Sequence, residues 1–171
     1  MNLPPAPTRF RVRTAWPGDV PVLTDLLNEI IRAGGTTALE IEMDTQEVAR
    51  MFVDGAGVLA CHVATGIEDD APLGFQTLAR HPDLPEGWGD IATFTRRGLR
   101  QAGLGRALFA ATRATAQALG LTAINAAIRA DNEGGLAYYS RMGFVTYRTL
   151  PAVPLRSGQL VDRIFKRHDL G

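Results

Sequence analysis

A single cysteine in 171 residues leaves no partner for an internal disulfide and no multi-thiolate metal site. That residue, Cys61, sits in VLACHVAT, which reads as a strand, so its thiol is expected to be a small buried side chain. The three histidines, His62, His81 and His168, are scattered without ligand spacing, and no metal is expected. His62 adjoins Cys61, but neighbours on a strand point to opposite faces, which argues against a Cys-His dyad. No stretch approaches the ~18 apolar residues of a membrane span. The opening MNLPPAPTRF has no apolar run before a cleavage site, so a cytoplasmic protein with no membrane partner is expected. Net charge is lacking too: 18 Lys plus Arg balance 18 Asp plus Glu, which gives no long-range attraction for a nucleic acid. The cations are mostly arginine, and several gather between Arg96 and Arg106, where a compact anionic cofactor suits them.

What is present points to one domain. Proline-rich residues 1–8 read as a flexible lead-in and residues 9–168 as a single folded unit. RFRVRTA alternates like a half-buried strand. Pro17 and Asp19 open a helix whose Val20, Leu23, Leu27 and Ile30 recur at spacings of three and four, and Gly34-Gly35 ends it. A second short helix is expected over Met43–Phe52 with Asp44 as cap. A hairpin of GVLACHVAT and LGFQTLAR follows, turning over 66–72, and then a fourth strand from Gly89 to Arg96. Next comes a helix with Leu104, Leu108, Thr112, Thr115 and Leu119 on one side, stopped by Gly120. The alternating strand TAINAAIR leads to a short helix capped by Asp131 or Asn132 and ending near Gly143. Two last strands, Phe144–Leu150 and Val161–His168, are joined by PAVPLRSG. Helices alternating with strands in the middle and hairpins at the flanks predict a mixed α+β fold around a twisted sheet.

The strand, the turn RQAGLG and the following helix form one unit. Gly103 and Gly105 let backbone approach a ligand closely, and the first helical turn, with Leu104 in it, offers unpaired N–H groups and the positive helix end to a diphosphate. Arg100 and Arg106 can add charge-assisted hydrogen bonds, with Arg96 and Arg97 near a more distant phosphate. The glycine spacing does not match a dinucleotide fingerprint, and no Gly-Lys-Ser/Thr ending marks a P-loop. A tight turn without a ligand accounts for the same glycines.

Two segments in order break that tie. Arg100-Gln101-Ala102-Gly103-Leu104-Gly105 resembles the acyl-CoA signature Gln/Arg-x-x-Gly-x-Gly/Ala of the GNAT superfamily. One helix and one strand later, RADNEGGLAYYSRMGF resembles that family's second signature, with Asn132, Tyr139 and Gly143-Phe144. The likeness runs from about Arg11 to Phe165. The wording of the second segment is similar to the phosphinothricin and methionine-sulfoximine acetyltransferase branch, and GGTTALE faintly echoes that branch's substrate region.

The resemblance implies a GNAT-like, mostly antiparallel twisted sheet flanked by helices, with strands four and five splayed into a wedge. Acetyl-CoA would be the cosubstrate, its pantetheine pairing with free backbone around Ile91–Thr95 and its phosphates over Arg100, Gln101, Gly103, Leu104, Gly105 and Arg106. Asn132 would cap its helix, hold the pantetheine arm, or do both. An N–H near Phe94 or Thr95 would meet the oxyanion. Tyr139 would protonate the leaving thiolate, while Tyr138 packs. The base is expected to be Asp90, standing where the branch carries glutamate, with Glu86, Glu40 and Glu42 as alternatives.

The reaction implied is direct attack by an amine on acetyl-CoA, with a small-molecule amine as partner and a homodimer as one assembly. A small amino acid or analogue is the preferred acceptor. Polyamines, aminoglycosides and protein amino termini are the others. Arg32, Arg80 or Arg148 can hold a carboxylate, whereas Glu40, Glu42 and Asp44 can attract a polycation. The competing class is a noncatalytic acyl-CoA-binding or sensory domain, for which an acid and a base have no use.

Overall fold

The computed structural model describes residues 9–99 and 102–171. The lead-in expected over 1–8 lies outside the described residues, as do Arg100 and Gln101. The chain opens with β1 (Phe10–Thr14), a 3-10 turn at Pro17–Asp19 and α1 (Val20–Ala33). Asp19 ties strand to helix: Arg13 grips its carboxylate at 2.8 and 2.9 Å, and the Trp16 N–H adds a third bond at 2.9 Å. After a loop, Asp44 caps α2 (Thr45–Val48) through the Glu47 N–H, and the helix widens into a π turn over Ala49–Val53. β2 (Val58–Gly66), β3 (Pro72–Ala79) and β4 (Trp88–Thr95) form a meander. α3 (Leu104–Ala118) then crosses to β5 (Ala123–Arg129), followed by α4 (Glu133–Arg141), β6 (Val145–Pro154) and β7 (Leu160–Asp169).

The sheet order is β1-β2-β3-β4-β5-β7-β6. Neighbours are antiparallel except β4 and β5, which are parallel because α3 carries the chain back between them. This is the mostly antiparallel α+β architecture expected.

Each face of the sheet has its own core. On one, Leu23, Leu27 and Ile30 of α1 pack with Phe52, Phe75 and Phe94, whose rings sit 5.0 to 6.2 Å apart. On the other, Phe109 and Ala116 of α3 meet Ile91, Ile124, Ile128, Tyr139 and Phe144. Leu119 departs from expectation: α3 ends at Ala118, and Leu119 caps it while 52% exposed. Phe109 and Ala116 fill the stripe instead.

The last hairpin also differs. β6 runs to Pro154, taking in residues 151–154 that were expected to be loop. It is the outermost strand, where a proline's missing N–H removes no ladder bond, and two register shifts absorb the irregularity. β7 is paired on both sides, by β5 and β6, so its alternation serves internal pairing.

Two imidazoles are held in these cores. His168 lies 5.1 Å from the Phe109 ring and 5.2 Å from Phe144. His62 is 8% exposed and faces Thr112 at 3.2 Å. Burial keeps both below the ordinary histidine range. The unfolded chain therefore takes up more protons below ~6.5, and stability present above that pH is lost as pH falls. The urea midpoint is expected to fall between pH 7.5 and 5.5, and His168→Leu to shrink the fall. A midpoint flat across that range would contradict this reading.

Candidate active site

The site begins where two strands part. β4 pairs with β3 from Ala79↔Asp90 to Gly74↔Thr95, but with β5 only from Trp88↔Ala123 to Ile91↔Ala126. Beyond that point β5 stays with β7 through Arg129↔Arg163, so a gap opens between β4 and β5. Arg96 donates its N–H to the Leu73 carbonyl at 2.8 Å. Alternation along the strand turns the Phe94 amide the same way, toward β3, and turns those of Thr93 and Thr95 into the gap. Of the two amides expected at an oxyanion, Thr95's is the one that faces open space. The gap belongs to a cavity of about 920 Å³ whose lining includes Asp90, Phe94, Thr95, Leu104, Gly105, Asn132 and Tyr139.

One end of the cavity is the start of α3. Gly103, at φ +85°, precedes the helix, and no side chain caps it. The first intrahelical bond runs from the Ala107 N–H to the Gly103 carbonyl, leaving the N–H groups before it for solvent or a ligand. The two glycines serve different ends. A Cβ at Gly103 would meet nothing within 4 Å, so its backbone conformation calls for glycine. A Cβ at Gly105 would meet the Tyr138 ring at 2.7 Å, so the helix–helix approach calls for it. Arg96 and Arg97 line the cavity, whereas Arg106 is exposed and is not among the lining residues.

α4 brings both tyrosines in from one face. Tyr138 donates to the Gly105 carbonyl at 2.8 Å and accepts from Gln76 at 3.1 Å, tying α4 to α3 and β3. Tyr139 shares a 2.8 Å hydrogen bond with the Thr93 hydroxyl. It is 7% exposed, and burial holds its phenol well above the ordinary range. Asn132 caps α4 by accepting from the Gly135 N–H at 2.9 Å, and its amide donates to the Thr36 carbonyl at 2.8 Å.

Asp90 comes from the opposite face. Thr93 points toward α4, and Asp90, three residues earlier on the strand, points the other way. Its carboxylate accepts from the Asn125 amide at 2.7 Å, and Asn125 in turn accepts from the Tyr147 hydroxyl at 2.7 Å. Burial pushes the Asp90 carboxyl above the carboxylate range, against the pull of Asn125. The other acids do not reach the cavity. Glu86 is exposed, Glu42 pairs with Arg32, and Glu40 accepts from the Arg156 N–H at 3.0 Å.

Arg32, Arg80 and Arg148 do not line the cavity either; Arg148 lies over the Phe165 ring at 5.0 Å. Arg129 and Arg163 do line it. Sequence reasoning missed them, along with Asn125 and Tyr147, because strand pairing alone brings them together. Cys61 is buried, its thiol pushed up to about 11 by burial. Among the described residues no group of three or more His, Cys, Asp or Glu is placed to hold a metal, and no helix is long and apolar enough to cross a membrane.

A model of the acetyltransferase (GNAT) family matches residues 24–144. No curated protein matches the chain. Among solved structures, a GCN5-related N-acetyltransferase from Kribbella flavida is 22% identical with a TM-score of 0.81, over 96% of this chain and 99% of that one. A phosphinothricin acetyltransferase from Sinorhizobium meliloti, in complex with AcCoA, is 22% identical with a TM-score of 0.84, over 95% and 89%. An N-acetyltransferase from Staphylococcus aureus Mu50 is 19% identical with a TM-score of 0.81, over 95% and 99%. At these identities the likeness is one of fold.

The two glycines are separable by mutation. Gly105→Ala is expected to cost about 1–3 kcal/mol by overpacking against Tyr138, and Gly103→Ala about 1–2 kcal/mol through its left-handed backbone. In a Tyr138→Ala background the Gly105→Ala cost should shrink while the Gly103→Ala cost persists. Equal behaviour of the two in urea titrations would remove the distinction.

Proposed function

From the premise that the chain belongs to the acetyltransferase (GNAT) family, we propose that residues 9–168 act as one domain that moves an acetyl group from acetyl-CoA to the primary amine of a small amino acid or analogue. The likeness in fold to a phosphinothricin acetyltransferase supports that acceptor class. The observation that carries the reading is the approach of Asp90 and Tyr139 to one cavity from opposite faces of β4, at the point where β5 leaves it. An amine entering from the Asp90 face meets a proton acceptor, and a thiolate leaving toward α4 meets a proton donor.

The residues present suit a CoA thioester. The uncapped start of α3 at Gly103, Leu104 and Gly105 offers N–H donors to a diphosphate. Arg100 and Gln101 belong to the same signature and Arg106 adjoins it, and all three are assigned there with it. The inward-turned Thr93 N–H and the Thr93 and Thr95 carbonyls offer a pantetheine arm the pairing that β5 withholds, as an added strand would. Phe94 supports that strand from the core, and Asn132 retains one amide hydrogen for the same arm. When bound, the thioester supplies the activated acetyl group.

An alkylammonium with a pKa near 10 resists deprotonation at pH 7 by about 4 kcal/mol. Asp90, raised by burial, is a better proton acceptor than an ordinary carboxylate, and the Asn125–Tyr147 chain orients it. Tyr139, raised by burial, stays protonated at neutral pH, as an acid must. Thr95 N–H is the donor assigned to the carbonyl oxygen. The lining charges oppose a polycationic acceptor: among the described lining residues Arg96, Arg97 and Arg163 stand against Asp90, with Arg129 already paired to Asp131. Polyamines and aminoglycosides are disfavoured for that reason.

Tyr139→Phe and Asp90→Asn are each expected to lower kcat by about 10²-fold or more with CoA affinity retained. The acid limb of the wild-type pH–rate profile should lie above the ordinary carboxylate range and vanish in Asp90→Asn. CoA binding without transfer to any amine would instead mark a noncatalytic acyl-CoA sensor. Unchanged kcat in both variants would remove the two assignments.

A further inference from the structure

Arg129 and Arg163 are direct cross-strand partners in the β5·β7 register. Directly opposed residues share a face, so two guanidiniums stand side by side, an arrangement that costs stability unless negative charge answers both. Asp131 answers one: its carboxylate meets Arg129 at 2.9 and 2.6 Å. Arg129 also donates to the Thr37 carbonyl at 3.2 Å. Arg163 has no such partner. Its Nε is buried without a hydrogen bond, and among the described residues no carboxylate lies within ion-pairing distance of it. Burial and the neighbouring Arg129 oppose its charge, and together they outweigh the longer-range support of Glu40 and Asp131. Both arginines line the large cavity.

Their place in the sheet tells which ligand they face. Asn125, Ala127 and Arg129 alternate onto one face of β5, and Asn125 holds Asp90 on that face. The thiolate side, with Tyr139, is the opposite face. The pair lies three residues beyond Ala126, the last β5 residue paired with β4, or roughly 10 Å along the strand. Between them and Asp90, Ala127 is exposed and lines the cavity, so the path is open.

We propose that Arg163, with Arg129 fixed beside it, is the subsite for a carboxylate on the acceptor, which makes the acceptor an amine that carries an anionic group away from its reacting nitrogen. The inference rests on the acetyltransferase reading above and adds the substrate class to it. A carboxylate there gives the Arg163 guanidinium a counter-charge at ion-pairing distance, which no carboxylate among the described residues supplies. CoA's phosphates share the anionic chemistry, so the test separates the two sources.

The test compares glycine, β-alanine, γ-aminobutyrate and ε-aminocaproate with the alkylamines of matching length, in wild type, Arg163→Gln and Arg163→Lys. Wild type should favour at least one amino acid over its alkylamine by about 30-fold in kcat/KM, the scale of a buried charge-assisted pair. Arg163→Gln should erase that preference while the KM for acetyl-CoA stays unchanged, and Arg163→Lys should keep part of it. A wild-type enzyme without preference, a preference surviving in Arg163→Gln, or a rise confined to the acetyl-CoA KM would overturn the proposal. Thermal shifts with the N-acetylated products, read with and without CoA, decide it independently of turnover. Stabilisation by N-acetylated amino acids but not by N-acetyl alkylamines, lost in Arg163→Gln, supports the subsite even if no amine is acetylated. Stabilisation by CoA alone leaves the cofactor assignment standing and removes the subsite.

Discussion

Everything in the site follows from the brevity of one parallel pairing. β4 is held by β3 up to Thr95 and β5 by β7 up to Arg129, yet the two hold each other only as far as Ile91 and Ala126. Each strand is committed to its outer neighbour, and the twist of the sheet carries them apart. The consequence is a run of backbone at Thr93 and Thr95 with no strand to pair with, facing a cavity. Unpaired buried amides are costly, so such a run is maintained only where solvent or a ligand completes it. The parting also lets groups from the two faces of the sheet line one cavity.

That two-sidedness explains the local structure around it. On the α4 face, the proton donor proposed at Tyr139 is rigid and dry. Tyr139 is fixed by Thr93 and packed against Phe144 at 5.0 Å, while its neighbour Tyr138 locks α4 onto α3 through the Gly105 carbonyl. The absence of a side chain at Gly105 is therefore what sets the distance between the start of α3 and the tyrosine end of the cavity. On the other face, Asp90 is oriented by Asn125, and Asn125 by Tyr147, whose ring leans on Trp88 at 5.7 Å. Each functional group thus stands on a side chain from the next strand or helix outward.

Much of this was legible from residue order, and the misses share a cause. The periodicity of Leu23, Leu27 and Ile30 marked α1 because a helix face is a local property. The glycine turn and the Asn132–Tyr139 helix were legible because their parts are contiguous. Leu119 was misplaced because a helix end depends on where the chain must turn for the next strand. β6 was cut short because proline argues against a strand unless that strand is known to lie at the edge, which only the sheet order reveals. Arg129 and Arg163 stand 34 positions apart, as does nothing that periodicity can sense, and the order β5-β7-β6 alone makes them neighbours. Asn125 and Tyr147 meet for the same reason.

The charge balance illustrates how an average conceals a field. Equal numbers of acids and bases remove long-range attraction, yet the acids are spent elsewhere: Asp19 on Arg13, Glu42 on Arg32, Asp70 on Arg11. Among the described residues four arginines and one aspartate line the cavity, and Asp131 outside the lining pairs with one of the four. A low-dielectric cleft strengthens whatever charge it retains, so the cleft attracts anions although the surface as a whole does not. The one carboxylate it keeps is raised by burial rather than fully neutralised by those cations, because the partner that reaches Asp90 is the neutral amide of Asn125. An arginine in that place would have lowered the acid and spoiled it as a base. In the proposed reading the chain separates two tasks that a salt bridge would merge: guanidiniums stand along the cleft for anions, and a neutral amide orients Asp90.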